Sequence, residues 1–226
     1  MIPVDAIAFL FDVDNTLIDN DRVKKHMEGQ TRKLLGDERA EEFWNLYEEV
    51  RHECDFVDFP RTLERYSERF PDEPNFARLA SELLCYPYRE YLFPGALDAV
   101  HYVKTMGTIA IVSDGDRVFQ PSKIARAGLA QAFENRVLIF THKDEEFDEV
   151  ERRVPAERYV LVDDKPSILA TLKRRLADRL VAVHVRQGKY ARERDESFAA
   201  DIELDGIGEL AKVPREAFLT AGSASR

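Results

Sequence analysis

The chain alternates short apolar runs with longer amphipathic stretches, and this rhythm predicts most of its architecture. The run Ala6-Ile7-Ala8-Phe9-Leu10-Phe11 is unbroken but too short for a helix, so it reads as a strand covered on both faces. Further runs of the same character occur at 108–112, 137–140, 159–162 and 180–185. Between them lie stretches with helical punctuation. Residues 96–105 follow Pro94-Gly95 and stop before Gly107, and 121–127 open on Pro121 and stop at Gly128. Residues 144–153 and 166–177 complete the set. Strand–helix alternation of this kind predicts an α/β fold, with a doubly wound parallel sheet and right-handed crossovers.

The spacing of the runs adds a second unit. A strand–helix–strand step needs only about 30 residues, yet the first run ends at 11 and the second begins at 108. One crossover helix at 96–105 closes that interval, which leaves 17–93 as an insertion large enough to fold as a helical domain over a core made of 1–16 and 94–226. Its apolar positions fall at helical spacing. Phe43, Leu46, Tyr47 and Val50 form one stripe, Leu63, Tyr66 and Phe70 a second, and Leu79, Leu83 and Leu84 a third. Gly36 is expected to end one helix and Asp37 to cap the next. After Arg186 the chain turns polar, with an edge strand expected at 202–204, a last helix at 207–213 and a frayed tail at 221–226.

In an open parallel sheet, ligands bind outside the carboxyl ends of the strands. Asp12 and Asp14 follow the first run, Ser113 and Asp114 the second, Thr141-His142-Lys143 the third, and Asp163-Asp164 the fourth. A lone Asp-x-Asp after a strand is commonly a turn held by side-chain-to-backbone hydrogen bonds. Four carboxylates from two strands that converge on one edge are self-repelling and call for a cation. Hard oxygen donors of this kind suit Mg²⁺. A calcium-binding EF-hand loop beginning at Asp12 fails, because its glycine position holds Leu17 and its bidentate glutamate position Val23. Lys165 reads as a solvated charge and His142 as a structural or exposed histidine.

Composition narrows the partners. The net charge of −10 argues against a nucleic acid and against an anionic membrane surface. No stretch approaches the ~18 consecutive apolar residues of a membrane span. Cys54 and Cys85 form neither a metal-binding nor a disulfide pattern. The first strand begins within a few residues of Met1, so no secretory signal is expected and the cytoplasm is the expected compartment.

Phe11-Asp12-Val13-Asp14-Asn15-Thr16-Leu17 resembles the first motif of the haloacid dehalogenase-like superfamily, Ile111-Val112-Ser113-Asp114 its second and Val162-Asp163-Asp164 its fourth. Lys143 stands where the third motif's lysine falls, although Asp144 follows it where many relatives have proline; Lys123 is the competing lysine. The resemblance covers nearly the whole chain and implies a Rossmann-like core with a helical cap. It further implies an Asp-dependent phosphatase that acts on a small phosphorylated metabolite with Mg²⁺ as cofactor, as a monomer or homodimer. Asp12 would then be the nucleophile and Asp14 the general acid and base. Asp12, Asp14, Asp163 and Asp164 would hold the metal, and Ser113, Asp114 and Lys143 would surround the phosphate. A phosphomutase would use the same Asp12 and Asp14, and a catalytically idle metal-binding module remains a further alternative. A dehalogenase has no need of Asp14, because halide leaves without a proton.

Overall fold

The structure is a computed structural model that describes residues 5–54, 56–192 and 198–220. Six parallel strands form one sheet: β1 (Asp5–Phe11), β2 (Thr108–Asp114), β3 (Val137–Phe140), β4 (Ala156–Asp163), β5 (Leu180–Val185) and β6 (Ile202–Leu204). Their spatial order is β3-β2-β1-β4-β5-β6. β1 is paired on both sides, with Phe11 opposite Ile111 of β2 and Val162 of β4. Its apolar residues therefore divide between the two faces. Ile7, Phe9 and Phe11 join one buried cluster, while Ala8 and Leu10 join the other. A strand covered on both faces has no polar side to show, which explains the unbroken run.

Among the described residues four α-helices lie between β1 and residue 93: α1 (Asn20–Leu35), α2 (Asp37–Cys54), α3 (Phe59–Arg69) and α4 (Phe76–Leu84). Asp19 accepts a hydrogen bond from the Arg22 N–H at 2.9 Å and Asp58 one from the Arg61 N–H at 2.9 Å, so α1 and α3 both begin on side-chain caps. The three expected apolar stripes lie on α2, α3 and α4, with Phe70 just past the end of α3. Phe43, Tyr66 and Leu79 join the same cluster as Phe9 and Phe11, so one core runs from the sheet into the insertion. The chain leaves and re-enters the sheet along paired segments: the Asp19 N–H donates to Tyr91 O and the Phe93 N–H to Leu17 O, at 2.8 and 2.9 Å.

The remaining helices are α5 (Ala96–Lys104), α6 (Phe119–Arg126), α7 (Leu129–Ala132), α8 (Phe147–Arg153), α9 (Pro166–Leu176) and α10 (Ala217–Thr220). β4 begins at Ala156 rather than 159, and α6 at Phe119 rather than 121. Three further expectations shift. Asp37 is the first residue of α2 rather than its cap; Gly36, in the left-handed region, supplies the carbonyl that accepts from the Ala40 N–H. α8 begins at Phe147 rather than at 144, because the Glu145 and Glu146 N–H groups both turn back to His142 O. The expected helix at 207–213 is a 3-10 helix over Ile207–Lys212. The tail at 221–226 lies outside the described residues.

Candidate active site

The strand order reverses direction between β1 and β4. β1 leads outward through β2 to β3, and β4 leads the other way through β5 to β6. Loops part at such a switch point and leave a crevice at the carboxyl ends. Asp12 follows β1 at this point, Asp163 ends β4 and Asp164 comes next, so the register places their carboxylates side by side. One oxygen from each of the three lies within 4.8 Å of the others, and all three residues are buried.

Lys143 stands among them. Its ammonium donates to Asp12 Oδ1 at 2.6 Å and lies 2.7 Å from Asp163 Oδ2. The second contact is an ion pair outside hydrogen-bond angles, so Asp163 Oδ2 has no directed donor. Asp114 fixes this lysine from the backbone side, because its Oδ1 accepts the Lys143 N–H at 2.7 Å. That contact gives the acidic residue after Ser113 a structural role: it holds the backbone of the lysine's loop.

Lys143 pairs with Asp12 and Asp163 and leaves the third buried acid without a hydrogen bond. Both oxygens of Asp164 are buried without a hydrogen-bond partner, an expensive arrangement for a carboxylate. Burial, reinforced by Asp163 and Asp12, pushes the Asp164 carboxyl up to about 9. Burial likewise raises Asp12, to about 7, against the pull of the Lys143 ammonium. Burial acts to discharge Lys143, yet Asp12, Asp163 and Asp114 outweigh it and hold the amine well above the ordinary lysine value. A bound divalent cation would relieve all three acids at once, and hard carboxylate oxygens are the donors that Mg²⁺ takes.

Asp14 faces the insertion. Its carboxylate pairs with the Lys123 ammonium and accepts from Gln120 Nε2 at 3.2 Å. Gln120 also donates to Ser113 Oγ at 3.0 Å, and Lys123 to Asn20 Oδ1 at 2.8 Å. The two lysines thus divide the site, with Lys143 beside Asp12 and Lys123 beside Asp14. The structure brings Asp12, Asp163, Asp164, Asp114 and Lys143 into one linked cluster, and Asp14 and Ser113 into a second through Gln120. Gln120 and Asn20 carry no motif, and only the spacing of Gln120 one helical turn before Lys123 hints that they share a face. Lys165, expected to be solvated, is half-buried. Burial acts to discharge its ammonium, but Asp12 foremost among the nearby acids raises it.

Above Asp14 lies a cavity of about 30 Å³, walled by Val23, Met27, Tyr47, Phe59 and Phe119 among others. At ~10–15 Å³ per water site it has room for about two waters.

A family model described as haloacid dehalogenase-like hydrolase matches residues 8–185. Among solved structures, one described as a haloacid dehalogenase-like hydrolase from Burkholderia xenovorans LB400 is 39% identical. It covers 95% of this chain and 99% of its own, with a TM-score of 0.86. A HAD phosphatase from Thermococcus onnurineus (20% identity, TM-score 0.64, 91% and 96% covered) and an L-2-haloacid dehalogenase from Xanthobacter autotrophicus (21%, 0.58, 91% and 96%) share the fold. No curated protein matches the chain. The acid cluster at the switch point, the match from β1 to the end of β5, and the near full-length similarity to the Burkholderia structure agree: this chain belongs to the haloacid dehalogenase-like hydrolase family.

Proposed function

We propose that the protein is a Mg²⁺-dependent phosphohydrolase of a small phosphorylated metabolite, with residues 17–93 as its cap and 1–16 with 94–226 as its core. The observation that carries this reading is Asp164: both of its oxygens are buried without a hydrogen-bond partner, and one of them lies within 4.8 Å of an oxygen of Asp12 and one of Asp163. Asp12, Asp163 and Asp164, with the Asp14 backbone carbonyl, would hold the metal. When bound, it supplies positive charge that offsets repulsion between a carboxylate and a phosphate dianion, about 4 kcal/mol per pair of unit charges at 4 Å in a surface-like dielectric.

Asp12 attacks phosphorus, the bond from phosphorus to the leaving oxygen breaks, and Asp14 gives that oxygen its proton. Water then attacks the aspartyl-phosphate and loses a proton to Asp14. The bond from phosphorus to Asp12 breaks, and inorganic phosphate departs. Lys143 and Ser113 hold the non-bridging oxygens. Lys123 and Gln120 aim the Asp14 carboxyl toward the insertion, on the side from which an alcohol leaves.

Asp14 favours hydrolysis over dehalogenation, which gains nothing from an acid two residues past the nucleophile; a phosphomutase would use the same Asp12 and Asp14. The free thiols of Cys54 and Cys85 suit a reducing cytoplasm, and no described helix is long and apolar enough to cross a membrane. Hydrolysis of a generic aryl phosphate tests the reading. Turnover should require Mg²⁺ and vanish in Asp12→Asn; metal-independent turnover, or turnover that survives the substitution, overturns it.

A further inference from the structure

Helix α1 carries two adjacent faces that line two different spaces. Asn20, Val23, Lys24 and Met27, at i, i+3, i+4 and i+7, line the small cavity above Asp14. His26, Met27, Gln30 and Thr31, one step round the helix, line an outer groove of about 490 Å³ closed on its far side by α4 and the segment that follows. Met27 is the one residue common to both linings, and at 2% exposure it fills the partition between them. The inner space takes about two waters, whereas the outer one falls in the ~300–1,000 Å³ range of small-molecule pockets. The side chain between them is unbranched and turns about three bonds, which makes methionine the apolar residue best able to swing aside without disturbing its helix.

We propose that Met27 is the size gate of the leaving-group site. With Met27 inward, the small space above Asp14 favours compact leaving groups over long ones. With Met27 displaced, the two spaces join, and a longer leaving group threads its apolar segment past α1 into the groove between α1 and α4. The ligand class this fits is a phosphate monoester of an alcohol with an unbranched apolar stretch next to the ester oxygen. The inner lining offers Val23, Met27, Val57, Phe59 and Phe119 as apolar surface, with Asp14, Lys24 and Lys123 as its charged groups. The proposal rests on the phosphohydrolase reading only in naming which part of the substrate leaves.

The test pairs binding with turnover. Affinities of methyl- to octylphosphonate, whose carbon–phosphorus bond this chemistry does not cleave, are measured with Mg²⁺ for wild type, Met27→Ala and Met27→Phe; turnover of the matching n-alkyl phosphates is measured in parallel. One methylene too many in an apolar pocket is worth about 10-fold or more. We expect Met27→Ala to improve the long-to-short affinity ratio at least 10-fold and Met27→Phe to worsen it by a similar factor. If Met27→Ala does not fold by thermal unfolding, Met27→Val is the smaller truncation and should shift the ratio in the same direction. The same chain-length profile in all variants overturns the gate and leaves the phosphohydrolase reading to its own turnover data. A shifted binding profile without turnover of any ester upholds the gate and removes that reading. Absence of both binding and turnover overturns both.

Discussion

Asp164 holds two buried oxygens with no donor, and its carboxyl is raised to about 9 against an ordinary value of 3.8. In the metal-free protein a group raised in this way favours folding fully below its ordinary value and loses that contribution as pH climbs toward 9. Asp12, raised to about 7, acts in the same sense over the lower part of that window. Mg²⁺ must displace these protons, so its stabilising effect should grow with pH. We expect the gap in Tm with and without Mg²⁺ to be wider at pH 9 than at pH 6, and a gap that stays constant or narrows would contradict the assignment. Lys143 invites a complementary experiment. Lys143→Met leaves Asp12 and Asp163 buried without their cation, and loss of one partner of a buried pair costs roughly 3–5 kcal/mol. Denaturant unfolding should show a loss of that order without metal, partly recovered with Mg²⁺. A variant as stable as wild type in metal-free buffer would mean that the acids are neutralised some other way.

The loops that follow β1 and β5 lock together, and the lock depends on one glycine. Gly188 has φ +67°, and a Cβ there would lie 2.5 Å from Asn15 Cγ and 2.6 Å from Asn15 Cβ. Asn15 is itself left-handed at φ 60°, and its backbone carbonyl, like that of Thr16, accepts from Gln187 Nε2. Gly188→Ala should therefore cost about 1–3 kcal/mol in strain and lower Tm by roughly 2–4 °C per kcal/mol. Gly29→Ala, within α1 and with nothing within 4 Å of the new Cβ, should raise stability by about 0.4–1 kcal/mol. Thermal unfolding of both variants checks the pair; equal shifts of the same sign would contradict it. The elements themselves were legible wherever burial sets the pattern. β3 and β5 match their apolar runs, and the edge strand β6 falls at 202–204. What escaped was local: Asp37 inside α2, the late start of α8 and the 3-10 geometry of Ile207–Lys212 depend on which carbonyl a given N–H finds, and residue type does not encode that choice.

At the scale of the whole molecule, topology brings residues together that are far apart in sequence. Asp12, Asp114, Lys143 and Asp164 come from the carboxyl ends of four strands, and the strand–loop pattern made that convergence readable. The link to the insertion was not readable. Lys123 reaches from α6 to Asp14 and to Asn20 at the start of α1, while Phe59 meets Phe119 edge-to-face with ring centroids 5.3 Å apart. These contacts join helices whose relative placement no periodicity specifies. They also narrow the space above Asp14, and in the proposed reaction substrate would enter by movement of the insertion. The proposed chemistry then turns on a phosphoryl group carried by Asp12, which Asp14→Asn should trap: an aryl phosphate needs no proton to leave, but water needs a base to attack. Acid-quenched mass spectrometry of Asp14→Asn, mixed with an aryl phosphate and Mg²⁺, should find one phosphoryl group per chain, on the peptide that contains Asp12. Turnover by the wild type with no phosphorylated peptide in the variant, or a phosphoryl group on any other residue, would contradict it.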